Sequence, residues 1–165
     1  MRILAKADVF NAIQKARSLT EEQASTFLND FCQKNPAIGQ TLLAGFPMVI
    51  APQNEQMSHV FMDTCFDIIY IYAQILGELP ANVVSPQWVQ HKIKTLENDA
   101  KNQSQEDIKN NAQIELLEYI EVVIDDAAGN SKASKGVGSM TFNLLFLVTR
   151  LFDSIYDQLV PGTVH

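Results

Sequence analysis

The stretch NEQMSHVFMDTCFDIIYIYAQILGEL, Asn54 to Leu79, decides the fold. At the 100° per residue of an α-helix, its polar side chains fall within an arc of roughly 100°. These polar residues are Gln56, His59, Asp63, Asp67, Tyr70, Gln74 and Glu78. The rest of the circumference is apolar or small, whereas a helix on a protein surface needs only one apolar stripe. The pattern therefore predicts a central helix that other helices surround on most sides.

Helical periodicity continues on both sides of this stretch, and capping sequences mark where two helices begin. Thr20 followed by Gln23 is a capping box, and Ser85 precedes a proline that can open a helix. Helices are predicted over Arg2–Arg17, Glu21 to the residue before Pro36, Pro86–Lys101, Ser104–Ala128 and Ser139–Val160, with a short helix or turn at Ile38–Gly45. In the first of them the core face is predicted to comprise Ile3, Ala7, Phe10 and Ile13. We expect an all-α, single-domain bundle of six to seven helices over residues 1–165.

Two segments are expected to lack helix. Phe46–Pro52, FPMVIAP, contains two prolines and is the one strand-like run in the chain. Because a lone run has no partner strand, it is predicted to be an extended apolar strap across the bundle. Gly129–Gly138, GNSKASKGVG, is small and polar, which predicts a flexible linker before the last helix.

Net charge and cysteine spacing limit which classes of partner, and which cellular compartment, we expect for the protein. The formal net charge is −7, whereas nucleic-acid binding needs clustered Lys and Arg, so no nucleic acid is expected as a partner. The same charge disfavours an anionic membrane surface, and the most apolar run, Met140–Val148, is too short to span a bilayer. Cys32 and Cys65 show no zinc or disulfide-exchange spacing, and no secretory signal precedes them. We therefore expect two free thiols and a cytoplasmic location.

Acidic residues on two helices raise the question of metal binding. Glu55, His59, Asp63 and Asp67 recur every four residues along the central helix, so they share one face. Metal sites in carboxylate bundles need Glu-x-x-His on two helices, and the chain has none. We therefore interpret this face, and the acidic side of the Ser104–Ala128 helix, as solvated. The alternative is a Mg²⁺ site formed by Glu115, Glu118, Asp63 and Asp67.

No stretch of the sequence carries a catalytic or cofactor-binding signature, and we expect no cofactor. The leading hypothesis is a non-enzymatic, cytoplasmic protein-interaction or regulatory protein, comparable to small acidic inhibitor or immunity proteins. The alternative is a small helical Mg²⁺-dependent enzyme that acts on a phosphorylated substrate through its clustered carboxylates.

The last predicted helix has more apolar surface than one stripe explains. Its core stripe comprises Leu144, Leu145, Val148, Leu151, Phe152, Ile155 and Leu159. Phe142 and Phe146 fall on the other side, nearer Arg150, Asp153 and Asp157. Exposed aromatic patches usually mark interfaces, and a two-fold dimer is the commonest way to cover one. Unless the Phe46–Pro52 segment covers these two rings, we predict a homodimer that buries Phe142 and Phe146, beside an unidentified protein partner.

Overall fold

The computed structural model describes residues 2–104, 106–107, 113–131 and 133–159. Within these ranges the chain forms α-helices and one π-helical turn, with no strand. The elements are α1 Lys6–Ser18, α2 Glu21–Lys34, α3 Pro36–Gln40, the π-turn Thr41–Gly45, α4 Phe46–Ile50, α5 Glu55–Leu76, α6 Pro86–Asn102, α7 Ile114–Ser131 and α8 Lys135–Leu159. The prediction of an all-helical bundle is confirmed.

Helix α5 is the central helix that its sequence predicts. The Asn54 side chain accepts a hydrogen bond from the Met57 N–H and caps its start. It ends at Gly77, whose φ of 93° is a conformation that glycine adopts without strain. Helices α1, α4, α7 and α8 all pack against it. Helix α8 contains twelve buried residues and α5 contains ten, so these two helices share the centre of the bundle.

An aromatic layer joins three helices at the core. The Phe152 ring of α8 lies 6.3 Å from Phe31 of α2 and 5.3 Å from Tyr72 of α5, measured between ring centroids. Tyr72 also stacks on Tyr156 at 5.6 Å. These separations are those of favourable aromatic pairs, so the layer fixes α8 against α5 over more than one turn.

The prediction of an extended strap over Phe46–Pro52 is wrong, because Phe46–Ile50 forms helix α4. Pro47 lies in the first turn of that helix. Backbone N–H groups in a first turn have no partner within the helix, so the N–H that proline lacks costs no hydrogen bond there, and the fixed φ of proline suits a helix. Pro47 and Ile50 are buried, and α4 packs against α5 and α8.

The boundaries around α7 also differ from prediction. Gln113 is buried and non-helical, and α7 begins only at Ile114, so the predicted Ser104–Ala128 helix is interrupted. Its segment 108–112 lies outside the described residues. The predicted linker Gly129–Gly138 is mostly helical, because α7 continues to Ser131 and α8 begins at Lys135.

The core face of helix α1 agrees only in part with the predicted one. It buries Val9, Ala12, Ile13 and Ala16, whereas Ile3 and Phe10 are 59% and 60% exposed. Two of the buried residues are alanines, which let α1 lie close to α5. The predicted core face is therefore confirmed at Ile13 and wrong at Ile3, Ala7 and Phe10.

Candidate functional site

A groove of about 790 Å³ lies where α1, α2, α5 and α7 meet. Its apolar lining includes Ala24, Leu28, Leu43, Val60, Phe66 and Val123. Its charged lining is four carboxylates, Glu21, Asp63, Asp67 and Asp126, and one guanidinium, that of Arg17. The volume is in the range of ligand-binding sites, and the lining combines an apolar surface with an excess of three negative charges.

The charged residues of the groove occupy positions that the helix ends and the helical repeat determine. Arg17 is in the last turn of α1 and Glu21 in the first turn of α2, the positions where the helix dipole favours a cation and an anion respectively. The capping box of Thr20 and Gln23 fixes the start of α2. Asp63 and Asp67 are four residues apart on α5 and therefore share one face.

A chain of hydrogen bonds crosses the groove between three helices. The Arg17 Nη2 group donates to the Tyr119 hydroxyl oxygen at 3.0 Å. The Tyr119 hydroxyl donates in turn to Asp67 Oδ2 at 2.6 Å, a length typical of a hydroxyl bonded to an ionised carboxylate. The chain ties α1 and α7 to the central helix, and we call it the groove triad.

Burial and neighbouring charges set the pKa values of Asp67 and Tyr119, and thereby which of the two groups holds the proton. Burial raises the pKa of Asp67 most, and the hydrogen bond from Tyr119 and the charge of Arg17 oppose this rise. Burial also raises the pKa of Tyr119 well above its ordinary value, as does the adjacent Asp67 carboxylate. The Tyr119 phenol therefore stays protonated at neutral pH. The triad can bind a cation or a hydrogen-bond donor, but its phenol does not supply a base.

The structure brings together two of the four carboxylates in the Mg²⁺ hypothesis. Asp63 and Asp67 both line the groove, whereas Glu115 faces Lys6, with its Oε2 3.8 Å from the Lys6 Nζ. Glu118 is exposed and outside the groove lining. Within the described part of the chain, no three His, Cys, Asp or Glu side chains are placed to hold a metal ion.

Sequence reasoning missed the groove triad as a unit. Tyr119 is half-buried, and its ring packs on the core. A buried tyrosine hydroxyl usually has a hydrogen-bond partner, so Tyr119 could have been marked as polar at its tip. Its partner Asp67 is 52 positions away, which helical periodicity does not reveal.

Phe142 and Phe146 are both half-buried but line different clefts. Phe142 packs on the core and borders a cleft between α7 and α8. Phe146 borders a groove of about 760 Å³ between α6 and α8, together with Leu96 and Met140. We call this second groove the α6/α8 groove.

No protein-family model, curated protein or solved structure matches the chain. None of the described helices is both long and apolar enough to cross a membrane. Function is therefore inferred from the geometry of the grooves.

Proposed function

We propose that the protein is a non-enzymatic, cytoplasmic interaction protein that binds a basic amphipathic segment of a partner protein. The binding site is the groove between α1, α2, α5 and α7. One observation supports this assignment above others: an apolar lining lies beside four carboxylates and a single guanidinium. An amphipathic helix binds such a groove through its apolar face, and Lys or Arg side chains beside that face would meet the carboxylates.

Charge over the whole molecule supports a cationic partner. The net charge of −7 attracts a basic protein during diffusion and raises its association rate at low salt. Among the described residues of the lining, Arg17 is the one cation, and it already donates to Tyr119. Both cysteines are unpaired, which is consistent with a reducing cytoplasm.

The test is an NMR titration of backbone amides with a synthetic amphipathic helical peptide of leucine and lysine. We expect the largest shifts at Ala24, Val60 and Val123. A double variant, Asp63→Asn with Asp126→Asn, should weaken binding roughly 2- to 30-fold, because each exposed charge pair contributes about 0.2 to 1 kcal/mol.

Asp8→Asn with Glu118→Gln is the matched control, since it removes the same charge from exposed positions that line neither groove. It should leave binding at the groove nearly unchanged, and a leucine–glutamate peptide should not bind. Equal weakening by both double variants, or shifts that map outside the groove, would show that the proposed site is wrong.

The α6/α8 groove supports a second proposal, self-association. Phe146 lies there half-buried beside the apolar side chains of Leu96 and Met140, and a second copy of the chain would cover them. Phe146→Glu should convert a dimer into a folded monomer, measured by light scattering and circular dichroism. Phe10→Glu, at a 60% exposed ring on α1, should leave the dimer intact. A monomeric wild type, or a Phe146→Glu variant that unfolds, would contradict the proposal.

A further inference from the structure

A carboxyl group is buried in the C-terminal half of α8. Asp153 is only 8% exposed. Its Oδ1 accepts two hydrogen bonds of 2.8 Å, from the Tyr72 hydroxyl and from Gln113 Nε2. Its Oδ2 is buried without a hydrogen-bond partner among the described residues. A buried ionised oxygen with no donor is costly, whereas a neutral carboxyl can hold its proton on Oδ2 and keep both bonds to Oδ1.

Gln113 connects this carboxyl to the N-terminal residues. Its Nε2 donates not only to Asp153 but also to the Arg2 carbonyl oxygen, at 2.8 Å. Its Oε1 accepts from the Leu4 N–H, again at 2.8 Å. Gln113 and Leu4 are each 2% exposed, so the bonds from Gln113 to Leu4 and to Asp153 are shielded from water, whereas the bond to Arg2 is partly buried.

The charged groups that act on Asp153 are few. Arg150 and Asp157 lie on its own helix and have opposite effects on it. From α5 it meets the Tyr72 phenol, whose own pKa is raised by burial and by Asp153. Gln113 contributes a neutral side-chain amide, and the groups of Arg2 and Leu4 that it binds are backbone amides. Burial outweighs all of these and raises the pKa of Asp153 to about 6.

We propose that Asp153, Tyr72 and Gln113 form a proton-controlled latch that holds residues 2–4 against the bundle, firm when the Asp153 carboxyl is neutral and loosened when it is ionised. Ionisation favours an opened state in which water reaches both carboxylate oxygens. Opening releases Gln113, and with it the two backbone groups of Arg2 and Leu4 that its side chain holds.

The direction of the pH effect follows from linkage. The pKa of Asp153 is about 6 in the closed latch, against its ordinary value of 3.8. The closed latch therefore binds the proton more tightly, and its advantage is lost as the pH rises through 6. If the opened state has the ordinary value, the opening equilibrium constant increases about tenfold between pH 5 and pH 8.

Hydrogen exchange of the Leu4 amide, read by NMR and corrected for the intrinsic pH dependence of exchange, measures this opening. The wild type should open about tenfold more at pH 8 than at pH 5, with a midpoint near pH 6. Asp153→Asn, which keeps a neutral side chain at every pH, should abolish the difference. Asp125→Asn, at an exposed carboxylate on α7, should retain it. Gln113→Ala should exchange rapidly at both pH values, which shows that the Leu4 amide reports the latch.

Two results would overturn the latch. One is a wild-type opening constant that does not change between pH 5 and pH 8. The other is a change that persists in Asp153→Asn, because a different group would then control opening. Should Asp153→Asn fail to fold, the wild-type midpoint decides, and a midpoint far from pH 6 excludes Asp153.

Discussion

The chain uses the same pair of side chains, a tyrosine hydroxyl donating to an aspartate, in two different settings. In the groove, Tyr119 donates to Asp67 at 2.6 Å, and Arg17 adds a positive charge. In the core, Tyr72 donates to Asp153 at 2.8 Å, and the third partner is a neutral amide. A guanidinium and water stabilise an ionised carboxylate, whereas an amide in a dry site does so incompletely. The open pair is therefore suited to binding, and the closed pair to sensing protons.

The largest difference in stability is expected between substitutions on the buried face of α5 and substitutions on the face that lines the groove. Ile69 is 1% exposed, so Ile69→Ala should lower the free energy of unfolding by about 2 to 5 kcal/mol, through lost burial and the cavity left behind. Asp67→Ala should cost less, because Asp67 is half-buried and water can reach the groove. Urea denaturation measures both variants. Equal losses would mean that the two faces of α5 are wrongly assigned.

Removing each of the two tyrosine hydroxyls should lower the free energy of unfolding by different amounts. We expect this difference to be smaller than that between Ile69→Ala and Asp67→Ala, and to depend on pH. At pH 8, Tyr72→Phe should cost about 1.5 to 3 kcal/mol, because it removes a donor from a buried ionised carboxylate. At pH 5 the cost should decrease to about 0.5 to 1.5 kcal/mol, the value for a neutral hydrogen bond. Tyr119→Phe should cost less than Tyr72→Phe at pH 8, since water and Arg17 remain beside Asp67. Chemical denaturation at both pH values gives these differences, and identical costs for the two variants would remove the distinction between the pairs.

The smallest effect on stability is expected from the addition of Mg²⁺. Asp67 is engaged by Tyr119, and Glu115 faces Lys6. We therefore expect millimolar Mg²⁺ or Mn²⁺ to leave the melting temperature unchanged in a thermal-shift assay. Binding to the native state raises stability in proportion to the logarithm of ligand concentration. A concentration-dependent rise, lost in Asp63→Asn, would instead favour the enzyme hypothesis.

Features that depend on nearby residues were predictable from the sequence. The capping box of Thr20 and Gln23 forms both of its hydrogen bonds, and Ser85 caps α6 as predicted. The start of the polar stripe on α5 is exposed as well, including His59. Further along that stripe Tyr70 is buried, because Phe27 of α2 packs edge-on to its ring at 5.1 Å. Periodicity gives the polarity of a face but not the neighbour that covers it.

Both polar clusters depend on pairs distant in sequence, which explains why they were missed. Asp153 was predicted to lie on the outer side of the last helix, near Arg150 and Asp157, yet the structure buries it. Its partner Tyr72 is 81 positions away, and Gln113 is 40 positions away. A polar residue within an apolar helix is compatible with solvent exposure or with a buried partner, and one sequence does not distinguish the two.

The most direct test of the contrast between the two pairs is a ¹³C NMR titration of the side-chain carboxyl carbons of Asp153 and Asp67 in the wild-type protein. We expect a midpoint near pH 6 for Asp153. We expect a lower midpoint for Asp67, because the rise that burial causes in its pKa is opposed by the hydrogen bond from Tyr119 and by the charge of Arg17. A midpoint for Asp153 at or below that of Asp67 would contradict the proposed difference between the two tyrosine–aspartate pairs.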